Sequence, residues 1–201
     1  MDKKDVFILN RALDGRQIYG MPDFANMNFS NLLIDVYKEG MIRRGILADK
    51  GNLTLKGARI VSCIKEYKES DKYITINNIV IGKNDDGKVV TLIHNPLYDE
   101  YKFVRNKLVD NYDILESYSF LKDVEECERK VVMEMNPREF KANYGNIKKD
   151  ILYLTIYDKN IEKMFVIFVK QGKAYFYDKN ASCLYNVGRK EIIDLIKGGL
   201  Q

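Results

Sequence analysis

The feature that most constrains the fold of this chain is a pair of β-branched runs separated by a tight turn. Residues 73–81 read YITINNIVI, residues 88–94 read KVVTLIH, and the NDDG at 84–87 has the composition of a hairpin turn. Strands joined by so short a connection pair antiparallel, because a parallel pair needs a crossover of about a dozen residues or more. The sequence therefore predicts an antiparallel sheet.

A second group of strands is predicted nearer the end of the chain. The runs ILYLTIYD (151–158), KMFVIFVK (163–170) and KAYFYD (173–178) are rich in β-branched and aromatic residues, and short polar turns separate them. Such turns again favour antiparallel neighbours. We therefore predict that these three runs form a meander.

The other segments with apolar periodicity are predicted to be helices. They cover residues 3–13, 29–43, 54–69, 98–115, 120–135, 137–144 and 188–200. Helices, a hairpin and a helix are thus followed by helices, a three-stranded meander and a helix. We predict a single α+β domain over residues 1–201, with one antiparallel sheet flanked by helical bundles. Its element order indicates a quasi-twofold duplication with pseudo-halves 1–116 and 117–201.

The composition is that of an ordinary globular protein. Of the 201 residues, 46% are hydrophobic and 31% are charged. The three cysteines, Cys63, Cys127 and Cys183, are widely spaced, which argues against a disulfide framework and against a zinc site. The N-terminal apolar patch is too short for a signal peptide, and no apolar run reaches the length of a membrane span. We expect a cytoplasmic protein with no membrane insertion.

Motifs that would carry catalysis are absent from the sequence. The single histidine, His94, ends a predicted strand, and no phosphate loop, HExxH or EF-hand spacing occurs. Acid–base and nucleophilic catalysis need a second group that orients the first. A hydrolase that pairs His94 with a cysteine is a weaker alternative. We expect a protein that is not an enzyme, with no catalytic residue, metal or cofactor.

A cationic segment raises the alternative of a winged-helix-like DNA-binding regulator. Residues 43–72 hold eight basic and four acidic side chains, and the segment contains RRGIL followed by LTLKG. Two observations oppose this hypothesis: the loop between the helices is too short for a third helix, and no wing strands precede LTLKG. The arginine pair equally suits the C-terminal end of the helix at 29–43, where cations favour the dipole. We expect no nucleic acid partner.

Tyrosines alternate with aliphatic residues along two of the predicted strands. Tyr153 and Tyr157 oppose Leu152 and Leu154, and Tyr175 and Tyr177 share one side of their own strand. Helices could cover these tyrosines and leave only their hydroxyls at the rim. Alternatively, the four tyrosines form a partly open platform that binds a protein partner, because a tyrosine ring has an apolar body and a polar tip.

The order of segments resembles a family of secretion chaperones. The segments LDGRQIYGMPDF, YKEGMIRRGIL and GNLTLKGARIVSCIKEYKES precede the hairpin, and together they cover most of residues 5–116. They resemble the cytosolic EspG-like chaperones of type VII (ESX) secretion. The shorter EsaE-like or DUF5081 group of low-GC Gram-positive bacteria is the more similar branch.

This resemblance implies both a fold and a function. The family has a quasi-twofold α+β fold with one antiparallel sheet between helical bundles. Its members are non-enzymatic adaptors that need no cofactor. They bind a secreted toxin or a helical-hairpin substrate in the cytosol and deliver it to the secretion machinery. A patch of about 800 Å² on each partner is enough for such a complex.

Overall fold

A computed structural model of the protein describes residues 1–24, 27, 29–106 and 118–200. Within these ranges the chain forms five α-helices and one nine-stranded sheet. The helices are α1 (Lys3–Leu13), α2 (Asn31–Arg43), α3 (Leu55–Lys68), α4 (Pro137–Tyr144) and α5 (Arg189–Leu200). The strands are β1 (Lys72–Ile76), β2 (Ile79–Lys83), β3 (Val89–Asn95), β4 (Glu100–Asn106), β5 (Lys130–Glu134), β6 (Ile151–Asp158), β7 (Ile161–Lys170), β8 (Lys173–Asp178) and β9 (Cys183–Val187).

The sheet is antiparallel throughout, with strand order β4-β3-β2-β1-β6-β7-β8-β9-β5. The two predicted groups of strands meet where β1 pairs with β6, which places Tyr73 opposite Tyr157 and Thr75 opposite Thr155. This arrangement confirms the predicted α+β class with an antiparallel sheet. The duplication of the element order and the division into halves stay predictions.

One face of the sheet packs against helix α5. Ile74, Leu152, Leu154 and Phe165 point to this side and are buried. Helix α5 lies so close that a Cβ at Gly199 would come 2.6 Å from the Ile74 Cδ1 atom. A larger residue at position 199 would force the side chains of Ile74 and Ile156 to shift.

The other side, called here the tyrosine face, carries Tyr73, Tyr153, Tyr157, Tyr175 and Tyr177. Register along the sheet places these side chains together, since directly paired residues point to the same side. Helices α1 to α3 cover this face over β1 to β4, and their side chains pack on Val80, Val90 and Leu92. Helix α4 covers it over Phe168 of β7, Tyr177 of β8 and Leu184 of β9.

The corner between α2 and α3 is held by polar contacts and by a close backbone approach. The Thr54 hydroxyl accepts a hydrogen bond from the Gly57 N–H, as expected of the N-cap of α3. A Cβ at Gly57 would overlap the Ile46 carbonyl oxygen. Arg44 lies in this corner and donates to the Asp5 Oδ1 atom at 2.5 Å. The corner thus ties α1, α2 and α3 together.

The prediction of a helix over 98–115 is wrong where the structure describes it. Residues Glu100–Asn106 form β4, which pairs with β3 from Asn95 opposite Glu100 to Val89 opposite Asn106. Tyr101 and Phe103 point toward α1 to α3, so the two-residue alternation of a strand applies here. Residues 107–115 of that prediction lie outside the described residues.

The prediction of a helix over 120–135 is also wrong. Only Ser119–Leu121 form a 3₁₀ turn, and Lys130–Glu134 form the edge strand β5 on β9. Leu121 and Val124 are buried in the core although neither belongs to an α-helix. The run Val131–Val132 is β-branched, and pairing with β9 outweighed its weak helical spacing.

Candidate protein-binding surface

Among the residues that the structure describes, no helix covers the middle of the tyrosine face, between α1 to α3 on one side and α4 on the other. Strands β1, β6 and β7 are the fourth, fifth and sixth of the nine strands in the sheet and form the floor of this gap. We call the gap the tyrosine trough and define it by Thr75, Tyr153, Thr155, Met164 and Val166. All five side chains are half-buried or exposed, whereas Tyr73, Phe168 and Tyr177 on the flanking parts of the same face are buried.

Aromatic stacking forms the first wall of the trough. The Tyr19 ring lies 4.6 Å from the Tyr73 ring and 5.2 Å from the Tyr157 ring, measured between centroids. The Tyr157 hydroxyl donates to the Asn160 side-chain oxygen at 3.0 Å. Burial raises the pKa of Tyr73 to about 12. The three rings pack against one another and form one wall of the trough.

Helix α4 forms the second wall. It begins with a capping box, in which the Asn136 side chain accepts from the Glu139 N–H and Glu139 accepts from the Asn136 N–H. Its Phe140 ring stacks on Tyr177 with 4.0 Å between centroids. The Tyr177 hydroxyl donates to the Met135 carbonyl at 3.1 Å, and only 1% of this residue is exposed.

Tyr153 lies on the floor of the trough and is 56% exposed. Its N–H donates to the Asn77 side-chain oxygen at 2.9 Å, and its carbonyl accepts from the Asn77 N–H at 3.0 Å. These bonds fix the backbone at the turn between β1 and β2, while Val166 lies directly opposite on β7. A rigid backbone thus presents a large aromatic ring to solvent, which is typical of a binding surface.

The four tyrosines predicted as partner-binding residues share one face but differ in accessibility. Tyr153 is exposed, and Tyr157 is half-buried in the first wall. Tyr175 is half-buried and stacks on Phe168 at 5.3 Å. Tyr177 is sealed beneath α4. The tyrosine face is therefore partly covered. Of the four predicted tyrosines, Tyr153 has the ring that is most exposed to solvent.

Sequence reasoning did not select four of the five trough residues, Thr75, Thr155, Met164 and Val166, as site residues. Thr155 is two residues from Tyr153 on β6, so strand alternation alone would have placed it on the same face. Met164 and Val166 on β7 require the pairing of β7 with β6, which places them opposite Thr155 and Tyr153. The periodicity of β7 gives no sign of this, because its buried residues lie on both faces.

His94 lies at a turn remote from the trough. Its ring stacks on Tyr101 with 4.5 Å between centroids, and its Nε2 atom is 3.2 Å from Asp99 Oδ1. The Tyr101 hydroxyl donates to the same oxygen. The described residues that contact the His94 side chain, Tyr101 and Asp99, include no cysteine. Among the described residues, no group of three or more His, Cys, Asp or Glu is arranged to hold a metal ion.

The cationic segment 43–72 is built into the fold. Helix α3 lies against the sheet through Ile64 and Tyr67, both fully buried. Burial raises the pKa of the Asp5 carboxyl and the charge of Asp2 raises it further, whereas Arg44 opposes both effects. Lys56 donates to the Arg44 carbonyl at 2.9 Å. These contacts give Arg44 and Lys56 structural partners.

Two other groups of exposed apolar side chains offer less defined surfaces. Leu32 and Val36 lie one turn apart on α2, whose one buried residue is Met41. Val131 and Val132 are exposed on the edge strand β5, where a β-bulge interrupts the register with β9. Bulges blunt strand edges against further pairing. The trough differs from both because its floor is a central, rigid part of the sheet.

Comparison with known protein families identifies the family of this chain. Residues 2–197 match the family model described as DUF5081, a domain of unknown function. The chain is a member of the DUF5081 family. No curated protein matches this DUF5081 chain. None of its described helices has the length and apolar character that crossing a bilayer requires.

Proposed function

We propose that this DUF5081 protein is a cytosolic, non-enzymatic chaperone or adaptor of type VII secretion. Its partner is a secreted toxin or a helical-hairpin substrate, which it binds and delivers to the secretion machinery. The observation that carries the proposal is the exposed Tyr153 on the rigid floor of the tyrosine trough. Membership of the DUF5081 family and the resemblance of residues 5–116 to secretion chaperones add support.

The trough suits reversible binding. Tyr153, Thr155 and Met164 combine apolar area with hydroxyl groups, so the surface tolerates water when free and excludes it when occupied. The two aromatic walls are already packed, and binding would therefore order few additional side chains. Such a preformed, mixed surface favours moderate affinity, which an adaptor needs in order to release its cargo.

The alternative of a DNA-binding regulator has less support. A reader helix must project side chains into a groove, whereas α3 lies flat on the sheet. A gel shift that weakens steeply with salt would favour the regulator. We expect no shift at low salt.

Co-expression with the proteins encoded beside its gene tests the proposed function. We expect one neighbouring secreted protein to co-purify with the wild type and to gain solubility from it. Tyr153→Ser should lose that partner. Tyr98→Ser is the matched control, because Tyr98 is 73% exposed on the turn between β3 and β4 and lies outside the trough. The proposal fails if no neighbour co-purifies and none becomes more soluble.

A further inference from the structure

We propose that the tyrosine trough receives a single amphipathic helix whose acidic end lies against a lysine cluster beside α4. The lysine cluster comprises Lys148, Lys149, Lys170 and Lys173. This inference rests on the proposed function and specifies the chemistry of the partner. It follows from the width of the trough and from the distribution of charge around it.

The width of the trough matches one helix. Its floor runs from Thr75 on β1 across β6 to β7, and neighbouring strands lie about 4.8 Å apart, so the open strip is about 10 Å across. An α-helix with its side chains is about 10–12 Å wide. The helices that already cover this face form one layer on the sheet. A partner helix in the trough would complete that layer between α1 to α3 and α4.

The lysine cluster lies on the same face, beyond the end of the trough where Tyr144 of α4 covers Phe168. Lys170 and Lys173 are paired across β7 and β8, and Lys170 points to the tyrosine face because Phe168 and Val166 do. Four residues along a strand separate Lys170 from Val166, a distance of about 14 Å. The Lys170 Nζ atom is 5.8 Å from the centre of the Tyr144 ring at the end of α4.

The turn that leads from α4 to β6 adds the other two lysines. Lys148 and Lys149 are exposed and precede Ile151, the residue opposite Phe168 on β7. Tyr153, on the floor of the trough, is only four residues further along the chain. All four lysines of the cluster therefore lie near the same end of strands β6 to β8, beyond Phe168.

The positive charge of this region is uncompensated. Residues 138–150 carry four basic and two acidic side chains, and the turn at 170–173 adds two lysines. The excess of four equals the formal net charge of +4 of the whole chain. One of the two acids, Glu139, is engaged in the capping box of α4. None of the four lysines of the cluster forms an ion pair with a described residue.

The helix dipole of α4 does not account for the cluster. Cations favour the last turn of a helix, and Lys141 occupies that position in α4. Lys148 and Lys149 follow the helix by four and five residues, and Lys170 and Lys173 belong to another element. A cluster of like charges without partners is unfavourable in the free protein, and an acidic ligand would relieve that repulsion.

Two synthetic helical peptides test the inference. Both carry leucines on one face at helical spacing and a fluorophore, and one has glutamates near one end where the other has lysines. Fluorescence anisotropy measures binding at low and at moderate salt. We expect the glutamate peptide to bind the wild type about tenfold more tightly than the lysine peptide, with a difference that shrinks as salt rises. Tyr153→Ser should abolish binding, and Tyr98→Ser should not.

Charge reversal provides the decisive comparison. In the variant with Lys148→Glu, Lys149→Glu, Lys170→Glu and Lys173→Glu, the preference should switch to the lysine peptide. All four side chains are exposed, and an unchanged circular dichroism spectrum will show that the variant folds. Failure of the glutamate peptide to bind, equal binding of both peptides or an unaltered preference in the variant overturns the inference.

The same variants separate this inference from the proposed function. If a secreted partner co-purifies with the wild type and equally with the charge-reversed variant, the adaptor function stands and the acidic-helix inference fails. If no neighbouring protein co-purifies but the glutamate peptide binds in a manner that depends on Tyr153 and the lysines, the inference stands. In that case the assignment to type VII secretion fails.

Discussion

The ring of Phe140 lies parallel to the ring of Tyr177, with 4.0 Å between centroids and 6° between planes. This contact sets the edge of the tyrosine trough, because it seals Tyr177 and leaves Tyr153, two strands away, in solvent. This aromatic pair thus marks the boundary, on the α4 side, between the covered and the exposed parts of the tyrosine face.

Removing this stack should loosen α4. We expect Phe140→Ala to lower the free energy of unfolding by about 2 kcal/mol, since a half-buried aromatic ring and its stacking partner are lost. Limited trypsinolysis should then cut faster at Arg138 and Lys141. Lys141→Ala, an exposed position on the same helix, is the control and should leave stability nearly unchanged. Equal stability of the two variants would contradict the role assigned to the stack.

The α2–α3 corner should tolerate no side chain at Gly57. We expect Gly57→Ala to destabilise the protein by about 2 kcal/mol or more, because the new methyl group would overlap the Ile46 carbonyl oxygen. Gly40→Ala is the matched control in α2, where the nearest atom to a Cβ is the Arg44 Nη1 at 3.7 Å. That substitution should stabilise the helix by about 0.5–1 kcal/mol. Thermal unfolding of the two variants gives opposite shifts if the corner is packed as described.

Arg44 should be structurally required, whereas Arg43 should not. Arg44→Gln leaves the Asp5 carboxylate, which is 1% exposed, buried without its cation, at a cost of about 3 kcal/mol. Arg43→Gln, at an exposed position, should cost little. Without Arg44 the already raised pKa of Asp5 would rise further, so the folded state would bind a proton more readily than the unfolded state.

The deficit of Arg44→Gln should therefore depend on pH. It is full above the folded-state pKa of Asp5, where the carboxyl is ionised, and it shrinks as pH falls toward the ordinary value of 3.8. Urea unfolding of the variant and the wild type at several pH values measures this difference. A deficit that is independent of pH would contradict the assignment to Asp5.

Alkaline pH should weaken the first wall of the trough. Burial raises the pKa of Tyr73 to about 12, whereas the unfolded chain titrates near 10. The folded state thus holds the proton more tightly, and this contribution to stability is lost as pH rises from about 10 to about 12. Tyr73→Phe should remove part of that slope. An unfolding free energy with the same alkaline slope in both proteins would contradict this origin.

The sequence predicted the elements whose patterns are local. The NDDG turn and the meander of β6, β7 and β8 appear where the sequence placed them. The predicted strand at 73–81 is divided by Asn77, whose φ of 52° turns the chain between β1 and β2. Asparagine tolerates this conformation, so the pair Asn77–Asn78 was the available signal.

Long-range packing could not be inferred from local patterns. Strand β9 (Cys183–Val187) was missed, and both β4 and β5 were interpreted as helices, because each depends on a neighbouring strand for its conformation. The tyrosine trough could not be predicted for the same reason, because it is defined by strand pairing and helix packing between distant segments. Phe140 covers Tyr177, whereas Tyr153 stays exposed among the described residues, because of where α4 packs on the sheet. No single segment of the sequence encodes that position.

Site-specific crosslinking tests the central claim most directly. A photoreactive benzoylphenylalanine placed at position 153, and separately at position 98, would be irradiated in cells that co-express the neighbouring secreted proteins. Our account predicts a crosslink to one of those proteins from position 153 and none from position 98. No crosslink from position 153, or a crosslink from position 98 alone, would contradict it.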